Sequence, residues 1–142
     1  MAIAVWYDLA EKSVDLTNKG YQRLAGISHV RSLNVLAREG DALLGQDVIS
    51  CDMSHKHAPD EFLLRFHLGP GVQAVMDESA NQIELKLRSG ATWAFIWEGA
   101  QAMIEQSVRY SAHKGLEPIQ QIVLSGGISA HQEVVWTFMP RS

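Results

Sequence analysis

The stretch SHVRSLNVLA places a histidine and an arginine two residues apart, at His29 and Arg31. On a strand both side chains would share a face with Leu33 and Val35, because successive side chains alternate between the two faces. If this face points inward, the two polar groups lie at the end of a buried stripe and must be hydrogen-bonded or must open onto a pocket or a partner. The spacing leaves two interpretations: a structural pair, or part of a wall that contacts a substrate or a partner domain.

A third candidate for that wall is His67, in the stretch EFLLRFHLGPGVQA. The stretch alternates, and Phe62, Leu64, Phe66 and Leu68 share one face. His67 falls on the opposite face beside Leu63 and Arg65, so this second face is mixed in polarity. An outward-facing strand histidine is the simpler interpretation.

The segment CDMSHKHAPDE contains an H-x-H at His55 and His57, with Asp52 and Asp60 nearby. On a strand two such rings share a face, and metal sites use this spacing. One hypothesis is therefore a small metal-dependent enzyme built on Asp52, His55, His57 and His67. A short polar loop also carries two histidines by accident, and we assign no metal ligand here.

No motif for nucleophilic, phosphoryl-transfer or zinc-protease chemistry occurs in the chain: it lacks G-x-S-x-G, a phosphate-binding loop and H-E-x-x-H. Asp8, Asp15, Asp41 and Asp47 are spread over different segments, so no carboxylate pair suited to glycoside hydrolysis can be assigned. We assign no catalytic residue.

Apolar and polar residues alternate with a period of two in most of the segments that would position these residues. NQIELKLRSG and ATWAFIWEG alternate on either side of Ser89-Gly90, which predicts a hairpin. About nine or ten such short strands, separated by turn residues, predict an all-β fold, an antiparallel two-sheet β-sandwich. AEKSVDLTNKG alone has mild helical character, and residues 1–142 are expected to form a single domain.

Four tryptophans, Trp6, Trp93, Trp97 and Trp136, leave a further alternative open. Exposed, coplanar indoles would suit sugar stacking, as in a free-standing carbohydrate-binding module. In a sandwich of this size we expect most of them in the core, where they supply buried area.

Composition excludes several function classes. The chain has 142 residues, a formal net charge of -4 and no Lys/Arg block, which argues against nucleic-acid binding. No apolar run approaches the roughly 18 residues of a membrane span, and MAIAVWYDLAEKS lacks the pattern of a secretory signal. Cys51 is the single cysteine, so an internal disulfide is excluded and the compartment remains open.

The order of short motifs resembles the heparinase II/III-like family, in the region that follows its catalytic part. The resemblance begins with Gly20-Tyr21, continues as Gly26-x-x-His29-x-Arg31, and reaches Gly45-x-Asp47. An R-F-H-L-x-P-x-V strand and turn, a Ser-Gly turn, a Trp-x-Phe strand and the closing VVWTFMP follow. The resemblance covers about Trp6 to Phe138, and Gly69 departs from it, because many relatives have a second histidine there.

The resemblance implies a specific activity for the family, whose catalytic motifs this chain lacks. Such proteins are polysaccharide lyases or their relatives, which join an N-terminal α/α toroid to a C-terminal β-sandwich and cleave uronate polymers by β-elimination. The family's His-Ala-Asp-like and Ala-His-Asn-like motifs, the latter holding zinc, do not occur in this chain, so no catalytic or zinc-binding residue is carried over. We therefore expect no cofactor in this chain.

The principal hypothesis is a C-terminal sandwich that supports a catalytic toroid on the same natural chain or on a separate subunit. The isolated chain would then be inactive, and His29, Arg31 and His67 would face the substrate or the toroid. An acidic polysaccharide is the expected ligand, and a homodimer that covers an exposed partner surface is a further expectation. The resemblance also implies that relatives are often periplasmic.

Overall fold

A computed structural model describes residues 26–36, 42–56 and 58–141, which form two antiparallel sheets. The six-stranded sheet has the order β1-β2-β9-β6-β5-β4, and the three-stranded sheet has the order β3-β8-β7. The strands are β1 (Ile27–Leu36), β2 (Ala42–Cys51), β3 (Glu61–His67), β4 (Gln73–Asp77), β5 (Gln82–Lys86), β6 (Thr92–Glu98), β7 (Gln101–Ser111), β8 (Gly115–Gly127) and β9 (His131–Arg141). The predicted two-sheet β-sandwich is confirmed. The stretch with helical character lies outside the described residues.

Alternating side chains build the core between the two sheets. On β3, Phe62, Leu64 and Phe66 are buried, and they face residues of the larger sheet such as Phe95 and Trp136. Most strands of the two sheets contribute alternate residues to one apolar cluster, as the strands of packed antiparallel sheets do. The described residues contain no helix long and apolar enough to cross a membrane.

The predicted hairpin at Ser89-Gly90 joins β5 to β6. The amide of Leu87 donates to the carbonyl oxygen of Ala91 at 2.9 Å, and Gly90 has φ +90°. A side chain at Gly90 would be strained in this left-handed conformation, which explains the glycine. The turn fixes the register that places Leu85 opposite Trp93.

Strand β1 forms one edge of the larger sheet, and part of its inner face is open. Leu33 and Val35 are 60% and 59% exposed, although they share a face with His29 and Arg31. The expectation of a buried apolar stripe on this face therefore fails at Leu33 and Val35. Within the described residues the layers are unequal, and the three-stranded sheet lies over only part of the six-stranded one.

At one end of the sandwich the β7–β8 hairpin extends past its neighbour. Strand β3 pairs with β8 only between His67 and Glu61, opposite Gln121 to Gly127. The β7–β8 pairing continues to Ser111 and Gly115. Residues 108–118 therefore form a two-stranded arm, called the β7–β8 arm below.

Candidate functional site: a buried cluster around Asp47

The β1–β2 pairing brings the His29-x-Arg31 and Gly45-x-Asp47 motifs together. Arg31 lies directly opposite Asp47, and His29 lies opposite Ile49, one pair further along the same face. All of these side chains point toward the smaller sheet, because residues two apart on a strand share a face. Asp47 is fully buried, with 0% of its surface exposed.

The carboxylate of Asp47 accepts four hydrogen bonds from three side chains. His29 Nε2 donates to Oδ1 at 2.5 Å, and Arg31 Nε donates to the same oxygen at 2.7 Å. Arg31 Nη2 donates to Oδ2 at 3.0 Å, and Trp136 Nε1 donates to Oδ2 at 2.7 Å. Two bonds on each oxygen use the acceptor capacity of an ionised carboxylate, and the bidentate arginine is the stronger type of pair.

Trp136 reaches Asp47 because Gly45 has no side chain. Gly45 is the direct cross-strand partner of Trp136, while Asp47 lies opposite Val134. A Cβ atom added to Gly45 would overlap the six-membered ring of the indole. The indole therefore lies across Gly45 and extends diagonally to the carboxylate two residues further along β2.

Arg31 also joins the cluster to the opposite sheet. Its guanidinium carbon lies 5.4 Å from the ring centroid of Phe66 on β3 and 5.2 Å from that of Trp136. These distances fall within the range of cation–π attraction. A single side chain thus pairs with a carboxylate of its own sheet and contacts an aromatic ring of the other layer.

The electrostatic balance favours an ionised Asp47. Burial by itself raises the pKa of this carboxyl, but the hydrogen bonds from His29 and Arg31, the charge of Arg31 and the hydrogen bond from Trp136 outweigh burial. The pKa of Asp47 consequently lies below its ordinary value of 3.8. The result is a carboxylate that stays charged inside the sandwich.

This arrangement suits a structural cross-link. A general base must come within hydrogen-bond reach of the proton that it removes, and Asp47 has no surface left for a substrate. The His29 and Arg31 side chains are only 6% and 8% exposed. The structure thus brings two of the three predicted wall residues into one buried cluster, and their contact with a substrate or partner domain stays a prediction.

His67 lies elsewhere, on the outer face of the smaller sheet. Its cross-strand partner on β8 is Gln121, whose side-chain Nε2 donates a hydrogen bond to Glu105 Oε2 at 2.8 Å. Arg65, on the same face, forms an ion pair with Glu105 at 2.9 Å. Alternation places His67 on the face of β3 that points away from the core, where it is half-buried. Its role as a wall residue also stays a prediction.

The hypothesis of an H-x-H metal site falls partly on His57, which lies outside the described residues. Asp52 accepts bonds from the Ser54 amide at 3.0 Å and the Ser54 hydroxyl at 2.6 Å, which lower its pKa. Within ranges 26–36, 42–56 and 58–141, no three His, Cys, Asp or Glu side chains are grouped to hold a metal ion. The donor set around Asp47 does not fit the zinc of the resembled family either, because Arg31 and Trp136 occupy oxygens that a metal would need.

The three tryptophans that the structure describes are buried. Trp93, Trp97 and Trp136 are 7%, 8% and 1% exposed. Trp6 lies outside the described residues. A sugar-stacking platform needs at least two exposed indoles, and at most one of the four remains to supply it, so the carbohydrate-binding-module alternative loses its predicted platform.

Comparison with known families gives the same assignment as the motifs. The family model described as heparinase II/III-like, C-terminal, matches residues 7–137. The chain belongs to this family. No curated protein matches the chain.

In this heparinase II/III-like C-terminal domain, several of the residues that carried the resemblance converge in space. His29, Arg31, Gly45 and Asp47 meet in the buried cluster. Gly26 adopts φ +69°, and its carbonyl oxygen accepts the amide of Asp52 at 2.8 Å, which anchors the start of β1. The motif therefore specifies a packing arrangement of the sandwich.

Sequence reasoning missed two members of the cluster, Asp47 as its centre and Trp136 as its third donor. The sequence does contain a signal for Asp47. His29-x-Arg31 and Gly45-x-Asp47 lie on consecutive strands, and side chains on two consecutive strands that pair through a short connection can contact each other. No local signal pointed to Trp136, which is 89 residues away from Asp47 along the chain.

Proposed function

We propose that this heparinase II/III-like C-terminal domain is a non-catalytic β-sandwich that braces the catalytic toroid of a polysaccharide lyase. The saturation of Asp47 supports this role most directly. Its four hydrogen bonds commit His29, Arg31 and Trp136 to holding three neighbouring strands of the larger sheet together. A scaffold of this kind offers a fixed surface to a partner domain.

The elimination reaction requires a base beside the carbon-bound proton and an acid beside the leaving glycosidic oxygen. The buried cluster supplies neither group to a polymer outside the sandwich. We therefore assign the acid and base of the reaction to the toroid, and we assign to this domain the support of one wall of the cleft.

The decisive assay incubates the isolated chain with uronate polymers such as alginate and heparan sulfate and follows the absorbance of unsaturated uronate products. We expect no turnover. Turnover that persists through purification and is lost in a His29→Ala or Asp47→Asn variant would contradict the proposal.

A complementation experiment tests the bracing role. A heparinase II/III-like lyase lacking its own C-terminal sandwich is mixed with this chain, and the melting temperature of the toroid and the lyase rate are measured. We expect both to rise relative to the toroid alone. A serum albumin control excludes a general protein effect, and no rise with this chain would argue against bracing.

A further inference from the structure

The inner face of the β7–β8 arm is apolar and exposed. Val108 lies opposite Pro118 and Tyr110 lies opposite Leu116, on the face that β8 turns to the core at Ile122. Val108, Tyr110 and Leu116 are 61%, 73% and 71% exposed, and Pro118 is exposed as well. Contiguous apolar side chains of this kind mark an interaction surface on a protein.

The charged side chains of the arm lie away from this face. Arg109 and Glu117 are cross-strand partners on the outer face, because they alternate with Tyr110 and Leu116. Lys114, in the turn, forms an ion pair with Glu117 at 3.7 Å. The inner face between residues 108 and 118 therefore suits an uncharged, apolar partner.

The arm also needs support from such a partner. A two-stranded hairpin by itself is only marginally stable in water. The third strand of the smaller sheet, β3, ends at His67 opposite Gln121, before the arm begins. The exposure of Val108 and Tyr110 shows that the larger sheet does not cover the inner face of the arm.

The far end of β1 provides a second exposed apolar surface. Leu33 and Val35 point toward the layer of the smaller sheet but are not covered by it. Val35 lies opposite Leu43, which is half-buried and packs against the core. This part of the larger sheet therefore lacks a covering layer, and its surface is uncharged.

Both surfaces lie at the same end of the sandwich. The amide of Cys51 donates to the carbonyl oxygen of Ala130, and the amide of Ile128 donates to that of Asp60. The starts of β1 and β3 and the end of β8 therefore lie together at the other end. Strand β1 runs from there toward Val35, and β8 runs toward it from the arm.

The arm of one chain cannot cover the β1 surface of the same chain. Strand β7 packs beside β4, whereas β1 forms the opposite edge of the six-stranded sheet. Strands are spaced about 4.8 Å apart, so β1 and β4 are separated by roughly 24 Å. An arm two strands wide does not span this distance, but the arm of a second copy can approach β1 from outside.

From these features together we propose that two copies of this chain exchange their β7–β8 arms, so that each arm packs on Leu33 and Val35 of the other copy. Because both surfaces lie at one end, two copies placed end to end make the contact twice, and the dimer is closed. The two arms and the two β1 surfaces bury on the order of 1,200 Å² in total, which is at the lower end of the range for stable interfaces. This dimer goes beyond the bracing role and needs no lyase activity.

Sedimentation equilibrium of the whole chain tests the dimer. We expect a dimer at micromolar concentrations that dissociates on dilution. Val35→Glu and Val108→Glu change one residue on each surface. Each should raise the dissociation constant on the order of tenfold or more, because each buries a carboxylate in an apolar contact.

Two matched variants serve as controls. Val30 lies on the outer face of β1 and Val75 on the outer face of β4, and they are 58% and 63% exposed. Val30→Glu and Val75→Glu therefore introduce the same side chain at equally exposed valines outside the proposed contact. Both should leave the dissociation constant unchanged, and circular dichroism checks that all four variants keep their strands.

Cross-linking locates the contact. Leu33→Cys and Leu116→Cys are prepared as separate proteins, mixed, and treated with a short bismaleimide. The parent chain, whose Cys51 is buried, is the blank. We expect a cross-linked species that contains one copy of each variant, identified by its mass.

Several results would overturn the proposal. A monomer at every concentration would remove the dimer, and equal weakening by Val35→Glu and Val30→Glu, or by Val108→Glu and Val75→Glu, would remove the assigned surface. Cross-linking of Leu116→Cys to itself in place of Leu33→Cys would place the arms against each other. Failure of the toroid complementation would contradict the proposed function and leave the dimer intact.

Discussion

Trp136 Nε1 donates a hydrogen bond to Asp47 Oδ2 at 2.7 Å across the backbone of Gly45. The bond joins β9 to β2, and Arg31 joins the same carboxylate to β1. One buried carboxylate therefore links three strands that are neighbours in the larger sheet, β1, β2 and β9. Phe66 extends the link to the smaller sheet through its contact with Arg31.

The first prediction concerns Asp47. Asp47→Asn should lower the free energy of unfolding by about 3–5 kcal/mol, because Arg31 would keep its charge in the interior without a carboxylate partner. Urea unfolding followed by circular dichroism measures the change. Asp60→Asn, at an exposed position, removes the same charge and should change stability little. Equal effects in the two variants would mean that net charge, and not the cluster, sets stability.

The second prediction concerns Gly45. Gly45→Ala should destabilise the domain by about 1–3 kcal/mol, because the new methyl group displaces the Trp136 indole and breaks its bond to Asp47. Gly127→Ala is the control, since no atom lies within 4 Å of its added Cβ and its φ is not in the left-handed range. Thermal melting compares the two. A neutral Gly45→Ala would show that the indole has room to move.

The third prediction is a pH dependence. The folded-state pKa of Asp47 is lowered from 3.8, so its contribution to stability is fully present above that value and is lost as the pH falls through the folded pKa. Asp52 and Asp77, whose pKa values are also lowered by hydrogen bonds from Ser54 and from Ser79 and Ala80, act in the same direction. Stability should therefore fall on acidification below about pH 4.

The Asp47→Asn variant isolates the share of the buried carboxylate in this acid response. Urea midpoints at a series of pH values should fall less steeply for Asp47→Asn than for the parent, because the variant has no proton to take up at this position. Parallel curves for the two proteins would show that surface aspartates account for the whole effect.

The fourth prediction tests the burial of the indoles. In a Trp6→Phe background, fluorescence comes from Trp93, Trp97 and Trp136, which are at most 8% exposed. Acrylamide should quench this emission weakly in the folded protein and strongly after unfolding in urea. Strong quenching of the folded protein would mean that some of these indoles are exposed. That result would support an aromatic platform and the carbohydrate-binding-module alternative.

Much of the fold follows from local pattern. Alternation in EFLLRFH placed Phe62, Leu64 and Phe66 on the buried face, and Ser89-Gly90 marked a hairpin that the structure contains. These features depend on residues close in sequence, because the period of two and the turn chemistry act over a few residues. The short motifs around His29 and Asp47 also indicated the family that the comparison supports.

The same local reasoning failed for the inner face of β1. An inward orientation of this face predicted a buried stripe that includes Leu33 and Val35, whereas the structure buries His29 and Arg31 and exposes the two apolar residues. Alternation reports which residues share a face. It does not report how far the opposite sheet extends over that face.

The strands, their two faces and the family can be recognised in the amino-acid sequence, since these follow from the order of neighbouring residues. The position of Asp47 at the centre of a cluster cannot be recognised in this way, because its partners come from β1 and β9 and Trp136 is distant in sequence. Pairing of β2 with β1 and with β9 inside the larger sheet brings these partners together, and that pairing depends on residues far apart along the chain.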